Sequence, residues 1–96
     1  MLTGKQRSYL KSLANGIEDI MQIGKGGVSD NVLKQIDEAL EARELIKIKL
    51  LNNSMLEAKQ TANEIAESVH AEFVQSIGNK LVLYRESKEK LIQIPR

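Results

Sequence analysis

The segment Glu44-Leu45-Ile46-Lys47-Ile48-Lys49-Leu50-Leu51 constrains the fold more than any other part of the chain. Ile46, Ile48 and Leu50 alternate with Lys47 and Lys49, the pattern of a β-strand with one buried face and one wetter face. Helical patterns flank it on both sides. Upstream, Val32, Leu33, Ile36, Ala39 and Leu40 recur at helical spacing, and Ser29 or Asp30 supplies a cap, which predicts a helix over 29–42. Downstream, Asn52-Asn53-Ser54 reads as loop and cap. Met55, Ala58, Ala62, Ile65, Ala66 and Val69 then form one stripe and predict a helix over 55–69. A strand with a single dry face holds its helices on that face, so both helices are expected in one layer of a two-layer sandwich.

The rest of the chain fits around this unit. Thr3 and Gln6 have capping-box spacing, and Leu10, Leu13, Ala14 and Ile17 share a stripe, so a helix is expected over 3–15. Asn15-Gly16 is a turn signal that ends it. Residues 17–23 read as a strand, and residues 72–77 and 80–85 as two more, joined by the two-residue hairpin signal Gly78-Asn79. The order is a helix followed by βαβαββ. Right-handed crossovers make the first three strands parallel, and the hairpin turns the last one antiparallel, giving a mixed four-stranded α+β sheet. The pattern does not place the first helix. A single domain is expected over residues 1–86, with 87–96 as a flexible tail that contains the only proline, Pro95.

Composition narrows the chemistry. Apolar residues make up 42% of the chain and aromatics only 3%, so the core must be aliphatic. With no cysteine, disulfides and thiolate metal sites are excluded. The first residues lack the apolar run of a signal peptide, and no stretch approaches the roughly 18 apolar residues of a membrane span, so a soluble, cytoplasmic protein without a membrane partner is expected. His70 is the only histidine, which disfavours a catalytic triad or a metal triad and reads as a structural residue or last-turn cation. Asp37, Glu38, Glu41 and Glu44 spiral around the outside of a helix and read as a solvated face. No catalytic residue, metal ligand, cofactor or small-molecule substrate is expected.

A net charge of +1 does not announce a nucleic-acid binder, but its distribution is uneven. Residues 1–17 carry Lys5, Arg7 and Lys11 and no acid. Lys5 and Arg7 stand near the positive end of their helix, where each cation costs roughly 0.3–1 kcal/mol, a mild hint of an anionic partner. Gly24-Lys25-Gly26-Gly27 is the strongest local feature. Glycines allow close approach of another backbone, and the loop opens into a helix whose first N–H groups are free. Its spacing is not that of a Walker loop. Spacing alone leaves two equal readings, a phosphate contact and a tight strand-to-helix connection. Lys47, Lys49 and Lys80 would extend a basic surface over an open sheet face, or serve as ordinary solubilising charges. Arg85 is grouped with these candidates. Few aromatics are available for base stacking, so a held backbone is favoured over read bases.

Several blocks, in order, resemble the CRM domain (chloroplast RNA splicing and ribosome maturation). They are Leu2-Thr3-Gly4-Lys5-Gln6-Arg7 with Leu10, Gln22-Ile23-Gly24-Lys25-Gly26-Gly27, Ala39-Leu40-Glu41, Glu44-Leu45-Ile46-Lys47-Ile48-Lys49, and Gly78-Asn79-Lys80-Leu81-Val82-Leu83-Tyr84-Arg85. They span roughly residues 2–85, and the length is similar to that of the stand-alone bacterial YhbY type. The resemblance implies a sheet of order 1-2-4-3, similar to the C-terminal domain of translation initiation factor three. It also implies an RNA contact at a GxxG loop, here Gly24, Lys25, Gly26 and Gly27, by analogy with KH domains. Stand-alone members imply a role in ribosome assembly, with 23S rRNA in precursors of the large subunit as partner and a monomeric protein. Glu18-Asp19 departs from a long basic groove. The alternative is a protein-interaction module using the acidic helix 29–42; a phosphate-handling enzyme would need an acid–base pair that the sequence lacks.

Overall fold

The computed structural model describes residues 2–95. The helices α1 (Gly4–Ala14), α2 (Asp30–Arg43) and α3 (Ala58–Val69) accompany the strands β1 (Met21–Ile23), β2 (Leu45–Leu50), β3 (Glu72–Ile77) and β4 (Lys80–Tyr84), with a short 3-10 turn at Asn52–Ser54. The strands form one mixed sheet of order β1-β2-β4-β3. β1 runs parallel to β2, and β4 pairs antiparallel with both β2 and β3. This is the α+β arrangement that the sequence implies.

The caps explain where the helices begin. Thr3 Oγ1 accepts from the Gln6 amide at 3.1 Å, and Gln6 Oε1 accepts from the Thr3 amide at 3.0 Å, a complete capping box. Ser29 Oγ accepts from the Val32 amide and starts α2. α3 begins at Ala58 rather than Met55. Met55 takes a left-handed conformation (φ 60°) that closes the 3-10 turn, and the Glu57 carboxylate caps the helix. Met55 is consequently 91% exposed instead of lying on the core stripe.

β1 is also shorter than its apolar run. Ile17 folds back on α1, its amide bonded to the Ala14 carbonyl, and packs on one side of the sheet. Ile20 packs on the other side. Residues 17–20 therefore cross between layers, and ladder pairing starts only at Met21 opposite Ile48.

The alternation in β2 sorts the core. Ile46, Ile48 and Leu50 join Ile23, Ile36, Leu40, Ala62, Ile65, Leu81 and Leu83 between the sheet and α2 and α3. Burying each large aliphatic side chain contributes about 1.5–3 kcal/mol, and Ile48→Ala at this fully buried position would cost about 2–5 kcal/mol. Leu45, Val74, Val82 and Tyr84 face the other way and meet Leu10 and Ala14, so α1 lies on the second face. That face is thus partly covered, not open.

The segment after β4 corrects the expectation of a flexible tail. Glu44, at the end of α2, is buried, and its carboxylate accepts from the Ser87 amide and hydroxyl and from the Leu91 and Ile92 amides at 2.6–2.9 Å. Ile92 and Ile94 pack beside α1 on the second face. Four donors on one carboxylate satisfy a group that burial would otherwise penalise heavily. Glu44 is therefore not part of a solvated acidic face. None of the helices among the described residues is long and apolar enough to cross a membrane.

Candidate nucleic-acid interface

The glycine loop sits where β1 ends. The Ile23 carbonyl still accepts from the Leu51 amide, and the chain then turns, with the Gly27 amide donating to the Gly24 carbonyl at 2.9 Å. Gly27 has φ +68°, a conformation that side chains with a Cβ adopt only under strain. Gly24 is hemmed in: a Cβ there would stand 3.4 Å from Asn53 Oδ1 and Leu51 Cδ1. Gly26 faces open space, so its backbone is accessible to a ligand. Lys25 is exposed and, among the described residues, forms no ion pair.

The helix entry adds partial positive charge. Ser29 takes the Val32 amide through its hydroxyl and the Leu33 amide through its carbonyl, and the earlier amides of α2 have no intrahelical partner. Asp30 in the first turn offsets part of this charge. A turn with a bare, accessible backbone, an exposed lysine and a helix N-terminus can hold a phosphate without contacting a base.

Lys49, in register with Gln22, and its neighbour Lys80 stand at the loop's end of the sheet, but the contacts predicted on α1 do not gather there. α1 packs on β2 and β3, and Arg7 and Lys11 line a groove along β3, whereas the loop follows β1 at the opposite edge. Lys5 and Lys11 are exposed, and no acid occupies the first turn of α1. Arg7 Nε donates to the Phe73 carbonyl at 3.3 Å, which leaves the rest of its guanidinium available.

Lys47 and Lys49 project to the α1 side, in register with Val82 and Lys80. Lys47 Nζ donates to the Ile17 carbonyl at 3.0 Å, and Lys80 pairs with Asp19 at 3.1 Å. The hydrogen bond from Lys80 holds the Asp19 carboxyl below the usual carboxylate range, with Lys49 adding a weaker pull. Arg85 binds the Asp37 carboxylate at 2.7 Å and the Val69 carbonyl at 2.8 Å, with Glu41 at 3.8 Å. Lys47, Lys80 and Arg85, three of the basic residues singled out in the sequence, thus serve internal partners. Arg85 thereby engages Asp37 and Glu41, two of the acids on α2.

Sequence reasoning missed Lys59. It lines a shallow groove with Arg7, Lys11, Phe73, Val74, Gln75 and Ser76 along β3. A lysine on an exposed helix face carries no signal by itself; only the packing of α3 beside β3 distinguishes this one. His70 is the left-handed C-cap of α3, its amide bonded to the Ala66 carbonyl.

Comparison with known proteins shows which family and fold this chain shares. The chain is 51% identical over 96 residues to the Bacillus subtilis probable RNA-binding protein YqeI, a match covering 99% of this chain and all of that one. It is 39% identical over 95 residues to a Haemophilus influenzae protein named an RNA-binding protein, covering 99% and 96% of the two chains. Among solved structures, it is similar to the solution structure of a Staphylococcus aureus hypothetical protein proposed to bind RNA. That pair has a TM-score of 0.79 and 48% identity, covering 99% of this chain and all of the other. The model of the CRS1 / YhbY (CRM) domain matches residues 2–85, and the chain belongs to that family.

Proposed function

We propose that this protein binds RNA, without catalysing a reaction, and that the Gly24–Gly27 loop is a contact to the RNA backbone. The observation that carries the reading is the loop itself: Gly27 at positive φ, Gly26 open to solvent and an unpaired, exposed Lys25 stand at the entrance to α2. The names of the relatives support RNA as the ligand class. Lys5, Arg7 and Lys11 on α1 supply further cations apart from the loop, and each phosphate neutralised contributes about 0.7–0.9 to the log–log salt slope.

The RNA in this proposal is 23S rRNA in precursors of the large ribosomal subunit, with the protein acting as a monomeric, cytoplasmic assembly factor. The few exposed cations left without internal partners suit a protein that docks on a folded ribonucleoprotein, where shape complements charge. The test is co-sedimentation. Wild-type protein should travel with large-subunit precursors, and Lys25→Glu should lose them while keeping its circular dichroism spectrum. Unchanged binding by a folded Lys25→Glu protein would remove the loop from the mechanism, and absence from every ribosomal fraction would overturn the assembly role.

A further inference from the structure

We infer that the outer edge of β3, ringed by Arg7, Lys11 and Lys59, is a second contact to the RNA backbone, separate from the glycine loop. The inference rests on the RNA-binding reading and adds a second grip to it.

β3 is an edge strand, so its outward backbone groups have no neighbouring strand to pair with. The edge is interrupted by a register shift between Phe73 and Gln75, and the Phe73 carbonyl is taken by Arg7. Beside it runs a groove of about 360 Å³. Cations reach it from both sides of the sheet: Arg7 and Lys11 from α1 on one face, Lys59 from α3 on the other. No carboxylate lines the groove. Arg7 stands in the first turn of α1, which contains no acid, whereas Lys59 follows the Glu57 carboxylate that caps α3. The placement of Arg7 works against the helix dipole. Three cations line one groove with no carboxylate among its lining residues, a charge pattern that favours a polyanion as occupant.

A second copy of the chain is a poor occupant. Pairing two β3 edges would bring both sets of Arg7, Lys11 and Lys59 together, a like-charge arrangement that opposes edge-to-edge association. The phosphodiester backbone of RNA supplies the missing charge.

The sheet order then sets the geometry. β1 and β3 are opposite edges, three strand spacings apart, or about 14 Å. One phosphate cannot serve both sites. A bound RNA must cross the end of the sheet past the Gly78-Asn79 turn, whose Asn79 carbonyl accepts from the Leu50 amide. Engaging both edges makes binding bivalent, so a long RNA gains more than the sum of two weak contacts.

The experiment is an RNA titration followed by fluorescence anisotropy and by amide NMR, using a 20-nucleotide RNA with wild type, Lys59→Gln, Lys11→Gln and Lys25→Gln. Lys59→Gln and Lys11→Gln should each weaken binding several-fold and lower the salt slope by about one. The Gln75 and Ser76 amides should shift on adding RNA together with those of Gly26 and Gly27. Wild-type affinity in both folded edge variants, with Lys25→Gln impaired, would overturn the second contact and leave the loop reading standing. Impairment by Lys59→Gln with none by Lys25→Gln would support the edge contact and sink the loop. Edge amides that shift with protein concentration alone would mean self-association and overturn the proposal.

Discussion

The Glu44 carboxylate accepts hydrogen bonds from both the amide and the hydroxyl of Ser87, at 2.9 and 2.6 Å, across 43 residues of chain. This clasp ties the end of α2 to the segment that follows the last strand. Leu91 and Ile92 complete it with their amides.

Replacing Glu44 with Gln should therefore loosen residues 87–95 before it unfolds the sheet. The amide group of Gln turns donors toward donors, at a cost of about 1–3 kcal/mol. In a domain of this size each kcal/mol lowers Tm by about 4–8 °C. Calorimetry would give the loss, and faster hydrogen exchange at Leu91 and Ile92 would locate it.

Acid should act through the same residue. Burial pushes the Glu44 carboxyl up, but the hydrogen bonds from Ser87, Ile92 and Leu91 together outweigh it and hold the group below its ordinary value of 4.5. A depressed carboxyl stabilises the fold above the unfolded pKa, and that contribution drains away as pH falls through the folded one. Stability measured by urea unfolding should thus decline below about pH 4.5, and the decline should be shallower in Glu44→Gln.

At the glycine loop, two adjacent substitutions should separate folding from binding. Gly27→Ala imposes a strained left-handed residue and should cost about 1–2 kcal/mol. Gly26→Ala meets open space and should leave stability within about 0.5 kcal/mol while weakening RNA binding, because in the proposed contact its Cβ would stand where the phosphate approaches. Parallel thermal melts and anisotropy titrations check both.

Asp19→Asn should release Lys80. The pair is partly exposed, so Tm should barely change. RNA affinity at low salt should rise, since one acid is gone from the sheet end and one ammonium is freed. Affinity below wild type would mean that Lys80 needs Asp19 to hold it in position.

Tyr84 carries a buried hydroxyl without a hydrogen-bond partner among the described residues. Burial first, then the charges of Glu44 and Glu86, push its pKa up to about 12. Its stabilising contribution is complete below the unfolded value of 10.0 and is lost as pH rises toward 12. Tyr84→Phe should be neutral or slightly stabilising at pH 7 and should flatten the loss of stability above pH 10, read by denaturant unfolding.

Much of this was legible in the sequence because local chemistry and tertiary structure agree. The Ile46–Leu50 alternation, the Thr3–Gln6 box and the Gly78-Asn79 turn each specify one geometry, and the structure keeps all three. Met55 failed because a left-handed turn residue overrode its place on an apolar stripe. Glu44 failed for a different reason: a glutamate in an acidic run looks solvated until a distant serine and two amides arrive. Lys47, Lys80 and Arg85 were readable as basic but not as occupied, since Ile17, Asp19 and Asp37 reach them only through the fold. The loop was the most legible part of the candidate site, because its glycines and lysine are contiguous.

β4 lies between β2 and β3 although it is made last of the four strands. Leu81 and Leu83, both fully buried, fill the middle of the larger core. A nascent chain that ends before Lys80 holds β1 and β2 on one side and β3 on the other without the strand that joins them, and a core with its centre missing. Formation of the native sheet during translation must therefore wait until Lys80–Tyr84 has cleared the exit tunnel, and shorter nascent chains should stay open to proteases and chaperones.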